Sequence, residues 1–137
     1  MPDAEIGPAS QVAFVVGVGA SAGGLDALER LFANIPAGVP MAFVVAQHLS
    51  PDHKSMMAEL LGKRTALTVM EAANDAPLVG GRVYLVPAHA NVIVEGDRLR
   101  LANRAAAHTL NLPVDELFSS IAASFRERSV AVVLSGT

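Results

Sequence analysis

Apolar positions along the chain follow two spacings, one typical of buried strands and one typical of helices. Residues 12–19 (VAFVVGVG) and 39–47 (VPMAFVVAQ) are nearly continuous apolar runs, which is the pattern of parallel strands buried on both faces. The segment between them has its apolar residues at helical spacing: Leu25, Leu28, Leu31 and Phe32. The order strand, helix, strand predicts a βαβ unit whose strands end at the same edge of one sheet.

The rest of the chain continues this alternation, with one departure. Helices are predicted at residues 55–62 and 113–125, and strands near residues 66–70 and within SVAVVLSGT (129–137). Residues 76–103 instead hold short β-rich runs separated by glycine, proline and asparagine, as in hairpins. We therefore expect an α/β domain in which an antiparallel hairpin is added to a mostly parallel sheet.

Composition narrows the class of protein. The chain has 137 residues, of which 52% are hydrophobic, and this suits one compact domain. A net charge of -3 and an aromatic content of 4% exclude the basic, aromatic-rich surface of a nucleic-acid binder. Because the chain has no cysteine, no basic leader and no apolar run near the roughly 20 residues of a membrane span, we expect a soluble cytoplasmic protein. Residues 1–11 are expected to be a disordered lead-in or linker before a domain at residues 12–137.

The glycine-rich turn after the first strand, GVGASAGG, allows two interpretations. As a dinucleotide fingerprint, the turn fits the permissive GxGxxG/A pattern through Gly17, Gly19 and Ala22. That fingerprint also needs an acid near the end of the second strand, and residues 37–51 contain neither Asp nor Glu. A nucleotide-binding domain is therefore an alternative that lacks its ribose ligand, and a non-catalytic interaction module is another.

The same turn also fits a nucleophile turn. Residues 19–23 have the form GxSxG, in which the glycines permit a tight bend that exposes Ser21. A serine nucleophile needs a base, and His48 directly follows the second strand, at the edge where open α/β sheets bind ligands. His89 follows a later strand and is a rival base. We predict that Ser21 is the nucleophile and His48 its base.

The other histidines receive no catalytic role. His53 follows Ser-Pro-Asp and is predicted to lie at the surface, and the role of His108 stays open. The segment HLSPDH offers His48, Asp52 and His53 to a metal, but this spacing is not that of the helical HExxH arrangement. We predict no metal and no cofactor.

Five segments, in order, carry a family resemblance: GVGASAGGLDAL, AQHLSPDHKSMMAELL, GGRVYLVPA, LPVDELFSSIA and AVVLSGT. Together they resemble the catalytic domain of the CheB-type chemotaxis receptor methylesterases, in the version fused to a CheR-type methyltransferase. The resemblance covers residues 12–137. It implies a doubly wound, three-layer α/β/α domain that hydrolyses methyl esters of glutamate side chains on chemoreceptors and often deamidates receptor glutamines.

The resemblance also implies site residues. Ser21 matches the family's nucleophile and His48 its histidine. As a separate hypothesis about the mechanism, we expect backbone N–H groups at Ala22 and Thr137 to bind the oxyanion. The family's triad aspartate follows the strand that corresponds to AVVLSGT. It therefore falls beyond Thr137, and we expect the C-terminal part of the domain to be missing and the given chain to be inactive or nearly so. Asp115 lies in a family-like PVD segment but begins a helix, so we assign it no triad role.

Partners follow from the same resemblance. It implies the methylated cytoplasmic helices of chemoreceptors as substrates and a fused or associated CheR-type methyltransferase. Apolar faces that a missing segment would leave uncovered predict, in addition, a homo-oligomer.

Overall fold

The computed structural model describes residues 12–20, 25–47, 56–88, 90–103 and 113–134. Within these residues, seven strands and three α-helices form. The strands are β1 (Phe14–Ala20), β2 (Met41–Gln47), β3 (Thr68–Glu71), β4 (Arg82–Leu85), β5 (Ala90–Glu95), β6 (Arg98–Asn103) and β7 (Ser129–Leu134). The helices are α1 (Leu25–Ala33), α2 (Met57–Gly62) and α3 (Pro113–Phe125), and a 3₁₀ turn (Arg126–Arg128) leads from α3 into β7.

Five of these strands form one parallel sheet, in the order β3-β4-β2-β1-β7. The βαβ unit predicted from the apolar spacing is confirmed, since β1 and β2 are parallel neighbours on either side of α1 in the chain. Because every strand of this sheet runs in the same direction, all of their carboxyl ends meet at one edge. This edge is called the carboxyl edge below.

Side chains of the sheet alternate between its two faces, and each face carries a separate apolar core. On one face, Val16 and Val18 of β1 pack with Leu28 and Phe32 of α1. The ring of Phe32 meets that of Phe43 edge to face, with centroids 5.1 Å apart and planes at 87°. The opposite face is covered by α3 and by β5 and β6. Helices on both faces give the expected three-layer, doubly wound arrangement.

Two glycines in β1 bring α3 unusually close to the sheet. A Cβ atom on Gly17 would lie 2.8 Å from Cδ1 of Ile121 and 2.9 Å from the ring of Phe118. A Cβ atom on Gly19 would lie 2.9 Å from Cγ1 of Val114. These separations are shorter than any ordinary carbon contact, so the helix occupies the space that side chains at these two positions would need.

The expectation of hairpins throughout residues 76–103 is wrong for β4, which is a parallel strand between β2 and β3. The glycine pair before β4 is not a hairpin turn. Gly81 has φ +82°, its N–H donates to the carbonyl of Met41 at 2.8 Å, and a Cβ atom there would lie 2.7 Å from the carbonyl oxygen of Ala37. The glycine therefore lets the chain pass tightly beside the start of β2 and enter the parallel sheet.

The hairpin expectation is confirmed for β5 and β6, which pair in antiparallel fashion around a turn at Gly96, where φ is +64°. They form a separate two-stranded sheet rather than extending the main one. The reason is their apolar face, since Val92, Val94 and Leu99 are buried in the same core as α3. The burial of this apolar face therefore holds the hairpin against one face of the parallel sheet.

Serine side chains of α3 bind the outer edge of β5. The hydroxyl of Ser120 accepts the N–H of Val94 at 2.8 Å and donates to the carbonyl of Leu117 at 2.7 Å. One helical turn later, the hydroxyl of Ser124 accepts the N–H of Gly96 at 3.2 Å and donates to the carbonyl of Val94 at 3.3 Å. Backbone groups of an exposed strand edge are thereby satisfied by the neighbouring helix.

The other edge of the hairpin is covered by the connection between β3 and β4. The N–H of Asp75 donates to the carbonyl of Leu99 at 2.8 Å, and the N–H of Leu99 donates to the carbonyl of Ala76 at 2.9 Å. The N–H of Leu78 donates to the carbonyl of Asp97 at 2.9 Å. The hairpin is thus bonded along both of its edges, to α3 on one side and to this connection on the other.

Replacement of Gly17 by alanine tests the close approach of α3. We expect Gly17→Ala to lower the free energy of unfolding by about 1–3 kcal/mol, because Ile121 and Phe118 must shift to admit the methyl group. Urea unfolding followed by circular dichroism measures the change. Gly38→Ala is the matched control, because Gly38 is exposed and a Cβ atom there has no neighbour within 4 Å. Equal stability of the two variants would contradict the packing described for α3.

Candidate active site

Three strands end in register at the carboxyl edge. Ala20, the last residue of β1, pairs with Gln47, the last residue of β2, and with Leu134, the last residue of β7. Adjacent strands lie about 4.8 Å apart, so the three chain ends stand side by side along roughly 10 Å of the edge. On the far side of β2, Leu85 at the end of β4 pairs with Val45. In open α/β sheets this edge is where ligands bind.

The predicted catalytic residues directly follow two of these strands in the chain, and they lie outside the described residues. Ser21 is joined to Ala20 by one peptide bond, and His48 is joined in the same way to Gln47. The oxyanion candidates Ala22 and Thr137 are outside the described residues as well, and so are His53, His89, His108 and Asp52. The register therefore describes the strand ends that precede Ser21 and His48, and the roles of these side chains stay predictions.

The amino end of α3 forms one wall of the carboxyl edge. Val114, in its first turn, packs directly over Gly19 of β1. Asp115, the next residue, is exposed. The side-chain amide of Asn91, at the start of β5, donates to Oε1 of Glu116 at 3.3 Å. Polar groups of the hairpin and of α3 therefore meet beside the edge.

Sequence reasoning missed the Asn91–Glu116 contact. Asn91 is only 9% exposed, and polar side chains are rarely so buried without a hydrogen bond. The available signal was an asparagine at the head of an otherwise apolar strand, ANVIV, but its partner lies 25 residues further along the chain. Spacing along the chain does not predict such a pair.

Two concave regions border the edge. A small, partly enclosed cavity of about 40 Å³ lies between the ends of β2 and β4 and the start of α2. A wider, open groove of about 720 Å³ lies between α3 and the hairpin, and its lining includes Asn91, Arg100, Asp115 and Glu116. Arg100 is paired there with Asp75 at 3.1 Å and Glu95 at 2.8 Å. The small cavity is the one that adjoins the strand preceding His48.

Over the ranges that the structure describes, no group of three or more His, Asp or Glu side chains is placed to hold a metal ion. In those same ranges, no helix combines the length and the apolar character that crossing a bilayer requires.

The sequence matches the CheB methylesterase family over residues 16–137, and the chain therefore belongs to that family. It is 35% identical over 127 residues to protein-glutamate methylesterase/protein-glutamine glutaminase 3 of Burkholderia thailandensis, covering 90% of this chain and 35% of that protein. It is 36% identical over 123 residues to the corresponding protein of the group 3 operon of Rhizobium meliloti, covering 89% of this chain and 35% of that protein.

A solved structure has the same fold. The chain superposes on the CheB methylesterase catalytic domain of Thermotoga maritima with a TM-score of 0.77 and 27% sequence identity, covering 91% of this chain and 68% of that one. The predicted resemblance and the α/β fold are thereby confirmed. The chain spans about a third of the length of the curated relatives it matches.

A disulfide between neighbouring strand ends tests the register that anchors the candidate site. The chain has no cysteine, so Ala20→Cys with Gln47→Cys introduces a single pair. We expect this pair to form a disulfide on mild oxidation, because paired positions lie about 4.8 Å apart with side chains on the same face. Mass spectrometry under non-reducing conditions detects the bond.

The control pair is Ala20→Cys with Ala46→Cys. Ala46 lies one residue earlier on β2 and is buried in the core on the opposite face from Ala20. This pair should stay reduced. A disulfide in the control pair but not in the test pair would mean that the register is shifted by one residue.

Proposed function

We propose that this domain hydrolyses the methyl esters of glutamate side chains on chemoreceptors, as the catalytic domain of a protein-glutamate methylesterase. The observation that carries the proposal is the common register of Leu134, Ala20 and Gln47 in a chain of the CheB methylesterase family. In this register, the strands that precede Ser21 and His48 in the chain end at neighbouring points of one edge. A nucleophile and its base need this proximity, since the proton must pass over hydrogen-bond distance.

The proposed mechanism is acyl transfer through the serine. His48 takes the proton of Ser21, whose Oγ attacks the ester carbonyl, and the methoxy group leaves as methanol. Water, activated by the same histidine, then releases the free glutamate. Backbone N–H groups at Ala22, which precedes α1, and at Thr137, which follows β7, stabilise the oxyanion, and one such donor is typically worth about 3 kcal/mol.

Further properties of the family come to this chain as proposals. The relatives from Burkholderia and Rhizobium are named as both methylesterases and glutaminases, so we include deamidation of receptor glutamines. Both reactions share one acyl intermediate, because an amide and an ester differ only in the leaving group. The proposed substrates are the cytoplasmic methylated helices of chemoreceptors, which sets the proposed location in the cytoplasm, with a fused or associated CheR-type methyltransferase as the enzyme that forms the esters.

A fluorophosphonate ester probe tests the proposed nucleophile. We expect the full-length gene product to be labelled at Ser21, and Ser21→Ala to abolish labelling. His48→Ala should slow labelling by at least about 100-fold, because the serine loses its general base. Mass spectrometry of the labelled peptide measures both the site and the rate.

Two control variants test the identity of the nucleophile and of the base. Ser119→Ala removes an exposed serine on α3 and should leave labelling unchanged. His89→Ala removes the rival base and should also leave the rate unchanged. An absence of labelling in the wild-type protein would contradict the hydrolase and favour an interaction module, whereas a loss of labelling in His89→Ala alone would reassign the base.

We also infer that a polypeptide of residues 1–137 associates with a second copy through β7. Within the described residues, β7 is an outer strand of the main sheet, and Val130 and Val133 on it are 41% and 76% exposed. Unpaired strand edges with exposed valines favour pairing with another chain. Size-exclusion chromatography with light scattering should give the mass of a dimer for residues 1–137, and Val133→Lys should shift it toward the monomer. A monomer at every concentration tested would remove this inference.

A further inference from the structure

The small cavity at the carboxyl edge has a largely apolar lining. Its floor is formed by Val45 of β2 and Leu85 of β4, and its roof by Met57 and Ala58 of α2. Gln47, the last residue of β2, also lines the cavity, and His48 is the next residue of the chain. The N–H of the residue after Leu85 donates to the carbonyl of Val45 at 2.9 Å, so the floor is bonded across the two strands. The enclosed volume is about 40 Å³.

The position of this cavity along the edge is set by the order of the strands. Along the carboxyl edge the strands end in the order β7, β1, β2 and β4. In the chain, β7 is followed by the segment that contains Thr137, β1 by Ser21 and β2 by His48. The cavity comes last in this order, at the ends of β2 and β4. The cavity therefore adjoins the end of β2, which His48 follows in the chain, and it lies on the side of β2 away from the ends of β1 and β7.

The ester carbonyl carbon that the serine attacks carries three groups: the carbonyl oxygen, the methoxy leaving group and the glutamate side chain. The proposed mechanism sets the directions of the first two. The carbonyl oxygen turns toward the proposed oxyanion donors, which follow β1 and β7 in the chain. The leaving group turns toward the histidine, because this residue must deliver a proton to it. The leaving group therefore points toward β2 and β4, where the cavity lies.

We propose that the cavity between β2, β4 and α2 receives the methoxy group of the substrate ester and makes the enzyme selective for methyl esters. This inference rests on the proposed function and names Ala58 as a residue that sets specificity. Ala58 lies in the wall of the cavity, and no role in the chemistry is assigned to it.

Formation and hydrolysis of the acyl-enzyme need only the ester and water as reactants. The Oγ–carbon bond of the acyl-enzyme forms and the carbon–methoxy bond breaks. The proton that leaves Ser21 is carried by His48 to the methoxy oxygen, so methanol is released into the cavity. Water then takes the same place, gives a proton to His48 and attacks the acyl carbon, and the serine is restored.

Size and charge both fit a methoxy group. A volume of about 40 Å³ holds about three water-sized groups, which admits methanol and crowds a branched alcohol. Among the described residues that line the cavity, the one charged side chain is that of Glu71, at the exposed end of β3. A negative charge beside a largely apolar space favours a neutral methoxy group over the carboxylate of the product.

A series of esters tests the proposal. Receptor-derived peptides that carry the methyl, ethyl or isopropyl ester of one glutamate are supplied to the full-length gene product, and kcat/KM is measured from the free acid formed. We expect the methyl ester to be preferred over the isopropyl ester by at least about 10-fold, as is usual for a filled apolar pocket. Ala58→Gly enlarges the cavity and should reduce this preference by at least about threefold.

The converse variant fills the cavity. Ala58→Leu adds three carbon atoms and should lower kcat/KM for the methyl ester by at least about 10-fold, with fluorophosphonate labelling of Ser21 retained. The matched control is Ala123→Leu, the same change at an exposed position of α3, which should leave both quantities unchanged. Should Ala58→Leu fail to fold, the ester preference of Ala58→Gly decides the question.

The outcomes separate this inference from the function on which it rests. If the methyl ester is hydrolysed but the preference is the same in wild type, Ala58→Gly and Ala58→Leu, the leaving group lies elsewhere and the inference is overturned. If no ester is hydrolysed and Ser21 is not labelled, the proposed function itself fails and this inference fails with it.

Discussion

The contact between α3 and the side-chain-free stretch of β1 supports the rest of this structure. With glycine at positions 17 and 19, side chains of α3 pack against the backbone of β1, in space that a Cβ atom would otherwise need. Held there, α3 presents Ser120 and Ser124 to β5 and so holds the hairpin. Its first turn lies over the end of β1 and forms a wall of the carboxyl edge. One packing contact thus joins the core, the hairpin and the candidate site.

The parallel direction of the strands explains how distant residues can form one site. Antiparallel neighbours would place successive chain ends at opposite edges, whereas β7, β1 and β2 all end at the same one. The proposed nucleophile, base and oxyanion donors then need only short segments to meet. The cavity between β2 and β4 lies at the same edge. The order of the strands therefore also supports the proposed direction of the leaving group.

Much of the fold could be predicted from the chain because burial imposes a spacing on it. The continuous apolar runs of β1 and β2 and the helical spacing in α1 and α3 follow from the faces they bury. The prediction was wrong for β4, because a glycine pair between short apolar runs resembles a hairpin turn. Here Gly81 serves a close backbone approach to Ala37, and this approach depends on a partner distant in sequence.

The sequence by itself determined the alternation of strands and helices and the family, and it nominated Ser21 and His48 through their positions after apolar runs. Tertiary structure alone decided which strands are neighbours, that the hairpin forms a sheet of its own, and that Asn91 meets Glu116. It also decided where the edge encloses a cavity. The physical reason is that periodicity reports which side of an element is buried, whereas neighbours and enclosed space depend on how several elements pack together.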